Sequence, residues 1–132
     1  MDRPAIFKGN APLLQVALDV QNLPEAVRVA RLVEPEADIL EVGSQLLKLE
    51  GVRVLRRLRG EFPHKVLLAD TKTMDMGEAE ALMVFEAGAD IMTVCGGAPD
   101  ETIASAISSA HELGKKVMVD LIGVRFKLNR AT

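Results

Sequence analysis

The sequence has 132 residues, of which 48% are hydrophobic, and its formal net charge is −3 at pH 7. This length and composition predict one globular domain over residues 1–132 and leave too little chain for two. The slightly acidic charge and the lack of Trp and Tyr argue against a nucleic-acid partner. No apolar run approaches the ~20 residues that a membrane helix needs, so no membrane partner is expected.

One cysteine, Cys95, is present, and one thiol excludes a disulfide within the chain. The opening segment "MDRPAIFKGNAPL" lacks the apolar stretch of a secretory leader. Together these features lead us to expect a cytoplasmic protein in which Cys95 is a buried, inert thiol.

Short apolar runs alternate with stretches of helical spacing along the chain. The predicted strands are residues 13–19, 37–43, 65–70, 89–96 and 115–123. The predicted helices are residues 23–33, 46–58, 77–87 and 101–113. The strands are almost continuously apolar, which is typical of parallel strands that are covered on both faces. The alternation therefore predicts an α/β fold with a parallel sheet and right-handed crossovers.

Four of the five predicted strands have an acidic residue at or near their carboxyl end. These residues are Asp19, Glu41, Asp70 and Asp120. In parallel α/β folds the carboxyl ends of the strands meet at one rim, and that rim carries function. A single strand-end acid is explained equally well as a cap of the next helix. Four in the same position favour a site.

The third strand ends in the motif D-x-K-x-x-D, formed by Asp70, Lys72 and Asp75. Asp70 and Lys72 are two residues apart, so they point to the same face of a strand. A lysine between two carboxylates keeps all three groups charged. A buried structural ion pair is the alternative, but such pairs are poor sources of stability. Glu41 and Asp70 offer the hard oxygen ligands that Mg²⁺ prefers, and Lys72 can neutralise a developing oxyanion.

Two other groups of residues have structural interpretations. Four arginines are expected on the solvated face of the second predicted helix: Arg53, Arg56, Arg57 and Arg59. Three methionines are expected to pack against the fold: Met74, Met76 and Met83.

The segments "LQVALD", "EVG", "LADTKTMDMG", "EAGADIMTV" and "VMVDLIGV" resemble the orotidine 5′-phosphate decarboxylase superfamily. Within it they are most similar to the 3-hexulose-6-phosphate synthase family. The resemblance runs from about residue 13 to residue 124. It implies a (β/α)₈ barrel, a homodimer and a Mg²⁺-dependent aldol reaction that joins formaldehyde to ribulose 5-phosphate.

The resemblance also implies roles for the rim residues. Glu41 and Asp70 match the magnesium ligands of the metal-dependent branch, whereas orotidylate decarboxylases have a lysine at the position of Glu41. Lys72 would stabilise a cis-enediolate, and Asp70 would act beside it in the catalytic signature. Asp75 would reach across the dimer interface into the neighbouring site.

Two substrate contacts are implied as well. Asp19 would contact substrate hydroxyls, and Asp120 would orient the substrate. A sibling family, 3-keto-L-gulonate-6-phosphate decarboxylase, uses the same metal and enediolate chemistry and stays open as an alternative. The segments "KLEG" and "VDLIGV" favour the synthase.

The sequence departs from this family in length. An eight-stranded barrel needs roughly 200 residues or more, and only about five strands are predicted here. Residues 125–132 resemble the start of a fifth helix. The acid–base residues and the phosphate site of the family follow later strands. We therefore expect an incomplete barrel with open edges and little turnover by this chain alone. Three explanations stay open: a truncated product, a barrel completed by another chain, or a smaller rearranged fold that serves as an interaction module.

Overall fold

The structure is a computed structural model that describes residues 11–126 and Asn129. Its strands are β1 (Gln15–Leu18), β2 (Ile39–Val42), β3 (Val66–Thr73), β4 (Ile91–Cys95) and β5 (Lys116–Asp120). Its helices are α1 (Leu23–Val33), α2 (Ser44–Glu50), α3 (Arg53–Glu61), α4 (Gly77–Glu86) and α5 (Asp100–Glu112). The helix expected over residues 125–132 falls mostly outside the described residues.

All five strands form one parallel sheet in the order β1-β2-β3-β4-β5. The parallel α/β architecture predicted from the alternation of apolar runs is confirmed. Within the described residues β1 pairs only with β2, and β5 pairs only with β4. The sheet therefore does not close, which agrees with the expected incomplete barrel.

Local sequence explains where the first helix begins and which face it buries. The Asn22 side chain accepts a hydrogen bond from the Glu25 backbone amide at 2.9 Å, so it caps α1. Pro24 follows in the first turn, where its missing N–H costs nothing. The face that carries Ala26 and Ala30 is buried against the sheet, as the apolar spacing predicted.

The prediction of a single helix over residues 46–58 is wrong, because α2 ends at Glu50 and α3 begins at Arg53. Gly51 has φ = 64°, a left-handed conformation that glycine adopts without strain. Its amide donates to the Leu47 carbonyl at 2.8 Å and closes the last turn of α2. Apolar residues keep a helical spacing across this break, so periodicity did not detect it.

The two faces of the sheet are covered differently. One face packs against the helices and forms the main core, with Leu40, Leu67 and Met92 fully buried there. The opposite face, called the inner face below, holds a smaller cluster built on Ile39, Leu68 and Ile91. Both faces of the sheet were expected to be buried. Burial is extensive on the face that packs against the helices, and on the inner face it is confined to the small cluster around Ile39, Leu68 and Ile91.

A buried charged cluster ties the amino-terminal end of the sheet together. Arg59 Nη2 and Lys115 Nζ both donate to the Asp90 carboxylate, the latter at 2.8 Å. Burial raises the pKa of Asp90, but the hydrogen bonds from Lys115 and Leu67 N and the nearby positive charges outweigh it, so the pKa lies below its ordinary value. The cluster is thus a buried carboxylate paired with two cations.

The expectation of a solvated arginine face is wrong for Arg59. Its side chain is only 16% exposed, because α3 ends against the segment that leads into β4 and the guanidinium binds the Gly88 carbonyl at 2.8 Å. The expectation is confirmed for Arg53, Arg56 and Arg57, which are exposed. In the described part of the chain, no helix has the length and apolar character to cross a membrane.

Candidate functional site

The predicted rim acids lie on the inner face at the carboxyl ends of the strands. Glu41 is level with Leu68 in the parallel register, and Asp70 follows Leu68 two residues later on the same face. Asp120 is level with Cys95, which shares the inner face with Ile91 by the same alternation. The expectation that acids from several strands meet at one rim is confirmed for Asp70 and Asp120, which both contact Lys72, and Glu41 lies on the same face of the sheet on β2.

Lys72 joins two of these carboxylates directly. Its Nζ lies 2.6 Å from Asp120 Oδ2 and 2.9 Å from Asp70 Oδ2. The hydrogen bond to Asp120 and then that to Asp70 raise the pKa of Lys72, so the ammonium group stays charged. The lysine therefore does sit between two acids, but the second acid is Asp120 and not Asp75.

Asp70 is 7% exposed and fully hydrogen-bonded. Ser44 Oγ donates to its Oδ2 at 2.8 Å, and Thr93 Oγ1 donates to its Oδ1 at 2.8 Å. Burial raises the pKa of Asp70, but hydrogen bonds from Lys72 and from these two hydroxyls lower it by more. The pKa therefore lies below its ordinary value, and the carboxylate is ionised. Thr93 was not among the predicted site residues, although a threonine inside the apolar run "DIMTVCGG" marks a polar group in a buried strand.

Lys72 also has an unusual backbone. Its φ is 46°, and it is the only residue other than glycine with a positive φ in the described part of the chain. The register of β3 against β4 shifts between Ala69 and Thr73, so Lys72 lies in an irregular segment of the strand. Such strain persists only where neighbouring contacts enforce it, and it concentrates at functional sites.

Glu41 and Asp70 provide the donors expected for a metal. Glu41 is half-buried, and Gln15 Nε2 donates to its Oε2 at 2.6 Å. Over residues 11–126 and Asn129, no group of three or more acidic, histidine or cysteine side chains has metal-site geometry. Glu41 and Asp70 are carboxylates on neighbouring strands, and carboxylate oxygens are the ligand type that Mg²⁺ prefers, so the magnesium site stays a prediction.

Asp19 and Asp75 lie at the margins of the site. Asp19 is exposed directly after β1, and its Oδ1 passes so close to Gly43 that a Cβ there would be 2.1 Å away. Asp75 is exposed between β3 and α4, where Thr102 Oγ1 donates to its carbonyl at 3.0 Å. Its side chain does not join the cluster around Lys72.

The three methionines expected to pack are instead exposed, by 54% at Met74, 59% at Met76 and 46% at Met83. Two of them flank Asp75, so the apolar surface beside this residue is open in the single chain. The expectation of a buried thiol is wrong, because Cys95 ends β4 at the rim and is only half-buried. Burial followed by the charge of Asp120 raises the pKa of its thiol. A neutral thiol agrees with the inert role expected for it.

A parallel α/β sheet of barrel type, with ionised carboxylates and a lysine at the carboxyl rim, is the architecture of a barrel enzyme. Comparison with known proteins agrees with this class. The profile of the orotidine 5′-phosphate decarboxylase / HUMPS family matches residues 12–130. The chain belongs to this family, as the motif resemblance implied.

Two curated relatives have different activities at similar identity. The chain is 45% identical to the 3-hexulose-6-phosphate synthase of Mycobacterium gastri over 118 residues, which cover 89% of this chain and 57% of the relative. It is 44% identical to the 3-keto-L-gulonate-6-phosphate decarboxylase UlaD of Escherichia coli O139:H28 over 112 residues, which cover 85% of this chain and 52% of the relative.

Solved structures show the same two activities. A 3-hexulose-6-phosphate synthase crystal structure superposes with a TM-score of 0.90 at 45% identity, covering 91% of this chain and 58% of that one. The crystal structure of KGPDC from Streptococcus mutans superposes with a TM-score of 0.87 at 34% identity, covering 92% of this chain and 59% of that one. The chain thus spans little more than half the length of its relatives.

Proposed function

We propose that this chain carries the metal-and-lysine part of a 3-hexulose-6-phosphate synthase site. The reaction is a reversible aldol addition of formaldehyde to ribulose 5-phosphate through a cis-enediolate. The observation that carries the proposal is Lys72, a charged ammonium group held between Asp70 and Asp120 at the rim. Glu41 lies on the same face of the sheet, on β2. The synthases among the relatives support the assignment.

Each rim residue has a role in this proposal. Lys72 stabilises the negative charge of the enediolate, because its ammonium group is already oriented and needs no rearrangement during the reaction. Asp70 and Asp120 keep that ammonium group charged and fixed. An acid–base residue from the later strands of the family fold would take the C1 proton to form the enediolate. The enediolate C1 then bonds to the carbon of formaldehyde, the π electrons of the carbonyl move to its oxygen, and the same acid–base residue would return the proton to that oxygen. Asp19 contacts hydroxyls of the sugar phosphate.

Glu41 and Asp70 would hold Mg²⁺. The bound ion would supply positive charge that acidifies the C1 proton of the ketose. Ser44 and Thr93 fix the orientation of Asp70 by their hydrogen bonds, so this ligand is positioned before any metal arrives.

Asp75 is proposed to act across a homodimer interface. Its exposed carboxylate lies away from Lys72 in its own chain, and the exposed Met74 and Met76 provide an apolar surface on either side. A second copy that covers this surface would place Asp75 near the partner's site. The protein is proposed to work in the cytoplasm.

The decarboxylase is the second candidate, because the UlaD relative is 44% identical. Loss of CO₂ from 3-keto-L-gulonate 6-phosphate would give a similar enediolate, which is then protonated. The same Lys72 and carboxylates serve both reactions, so only the substrate distinguishes them. A third candidate is an interaction module without turnover, which would use the exposed surface of Met74 and Met76 beside Asp75.

A hybrid enzyme tests the proposal. Residues 12–130 of this chain replace the matching part of the Mycobacterium gastri synthase, and turnover of ribulose 5-phosphate with formaldehyde is measured. We expect Mg²⁺-dependent synthase activity in the hybrid, far above that of the 132-residue chain alone. Turnover of 3-keto-L-gulonate 6-phosphate instead would favour the decarboxylase. A folded hybrid that is inactive on both would favour the interaction module.

A further inference from the structure

We propose that Thr93 is a positioning residue for the site. Its single hydroxyl holds both the Asp70 carboxylate and the strained backbone of Lys72. The role in catalysis rests on the proposed function above, whereas the structural part stands without it. Thr93 is 4% exposed and lies on β4, between the two strands that carry Lys72 and Asp120.

The direction of the hydrogen bonds at Thr93 follows from the chemistry of its partners. The Lys72 backbone N–H can only donate, so the single proton of Thr93 Oγ1 is left to be donated to Asp70 Oδ1, at 2.8 Å. The same oxygen is then an acceptor for the Lys72 backbone amide, which donates to it at 2.9 Å. One side chain thereby binds both the acid and the lysine of the D-x-K pair.

Two more contacts between β3 and β4 hold this segment. Thr71 Oγ1 donates to the Thr93 carbonyl at 2.5 Å, and Cys95 Sγ donates to the Lys72 carbonyl at 3.2 Å. Lys72 is therefore held at its N–H and its C=O, on both sides of its positive φ. Because regular sheet pairing is interrupted between Ala69 and Thr73, these side-chain bonds replace ladder bonds there.

The hydrogen bonds that Thr93, Thr71 and Cys95 make around Lys72 are called the clamp below. The clamp fixes the position of the Lys72 ammonium group. The left-handed conformation of Lys72 turns its side chain back toward Asp70 and across β4 to Asp120. A lysine would leave this conformation without neighbouring contacts, because a positive φ is unfavourable for residues other than glycine. Thr93 therefore acts on the reaction through Lys72 and Asp70, without itself contacting the substrate.

Hydrogen exchange in the 132-residue chain tests the clamp without any activity assay. Thr93→Val keeps the shape of the side chain and removes the hydroxyl. We expect the Lys72 amide to exchange about tenfold faster or more than in the unchanged chain, because it loses its acceptor. Thr93→Ser keeps the hydroxyl, and its Lys72 amide should exchange within about twofold of the original rate.

Val94→Ala is the matched control for loss of packing, since Val94 is fully buried on the opposite face of the same strand. It should accelerate exchange across the sheet without a selective effect at Lys72. The clamp is contradicted if Thr93→Val accelerates exchange of the Lys72 amide no more than it accelerates exchange of the neighbouring amides in β3. It is also contradicted if Thr93→Ser accelerates exchange of the Lys72 amide as much as Thr93→Val does.

The hybrid enzyme tests the catalytic part. Thr93→Val should lower kcat about tenfold or more with KM within about twofold, and Thr93→Ser should restore kcat. An unchanged kcat in a hybrid with accelerated Lys72 exchange would overturn the positioning role. If the hybrid that keeps Thr93 has no synthase activity, the proposed function is contradicted instead. The exchange rates of the Lys72 amide would still show whether Thr93 holds Lys72.

Discussion

Lys72 Nζ lies 2.6 Å from Asp120 Oδ2, although the two residues are 48 positions apart in the sequence. They come from β3 and β5, which are not neighbours, so the lysine side chain crosses β4 to reach its partner. This contact makes Lys72 a charged group fixed on two sides by carboxylates. It is the relationship on which the proposed chemistry depends.

Removal of the ammonium group is expected to abolish most of the activity. In the hybrid enzyme Lys72→Ala should lower kcat by about 10²–10³-fold, because the charge on the enediolate loses its stabilising partner. Lys116→Ala is the matched control, since Lys116 is an exposed lysine at the other end of β5. A Lys72→Ala hybrid that keeps a third or more of its kcat, measured under saturating substrate, contradicts the role of Lys72.

Much of the fold can be predicted from the sequence, because the spacing of apolar residues that defines a strand or a helix lies within one short segment of the chain. Near-continuous apolar runs located all five strands, and the helical spacing of Ala26 and Ala30 located the buried face of α1. The break at Gly51 was missed because apolar residues keep their spacing across it. The burial of Arg59 was missed because its acceptors, Asp90 and the Gly88 carbonyl, are distant in sequence.

The candidate site was only partly predictable for the same reason. The D-x-K spacing correctly indicated that Asp70 and Lys72 meet, since neighbours on one strand face are fixed by geometry. The third member, Asp120, depends on the order of the strands, so spacing suggested Asp75 instead. Thr93 was missed because a lone threonine in an apolar run gives no sign of what its hydroxyl binds.

A methyl group at Gly43 is expected to displace Asp19. The Cβ of Gly43→Ala would lie 2.1 Å from Asp19 Oδ1, and this carboxylate is the exposed end of a side chain that can move away. Stability should therefore change by less than about 1 kcal/mol. If Asp19 contacts sugar hydroxyls, KM for ribulose 5-phosphate should rise in the hybrid. An unchanged KM, measured by steady-state kinetics, removes Asp19 from the substrate contacts.

Gly60→Ala is expected to stabilise the chain. Gly60 lies in the last turn of α3, is exposed, and has no atom from outside its own helix turn within 4 Å of the position that a Cβ would take. Alanine lowers the conformational entropy of the unfolded chain, so the free energy of unfolding should rise by about 0.5–1 kcal/mol. Urea denaturation measures this change. A lower midpoint would show that α3 does not extend through residue 60 in solution.

The buried cluster around Asp90 predicts a pH-dependent contribution to stability. The folded-state pKa of Asp90 lies below the ordinary value of 3.8, so its contribution is present above pH 3.8 and is lost as the pH falls through the folded pKa. Asp90→Asn removes a buried negative charge that faces Arg59 and Lys115. It should cost about 3 kcal/mol near neutral pH.

The cost of Asp90→Asn in free energy of unfolding should become smaller at acid pH. At a pH below the folded pKa the unchanged chain is itself protonated at Asp90, so its difference from Asp90→Asn should shrink. Urea denaturation at neutral and acid pH measures both differences. Glu61→Gln serves as the surface control, because Glu61 pairs with the exposed Arg31 and Arg57 and its loss should cost far less than that of Asp90. A cost for Asp90→Asn that grows on acidification is incompatible with this assignment.

The most direct test of the proposed site is the Mg²⁺ dependence of ribulose 5-phosphate and formaldehyde turnover in the hybrid enzyme, with Glu41→Gln and Asp70→Asn beside it. The account predicts product only with Mg²⁺, and a loss of at least about 10²-fold in each variant because each removes a charged ligand. Turnover that is independent of Mg²⁺, or that survives both substitutions, would contradict a metal site formed by Glu41 and Asp70.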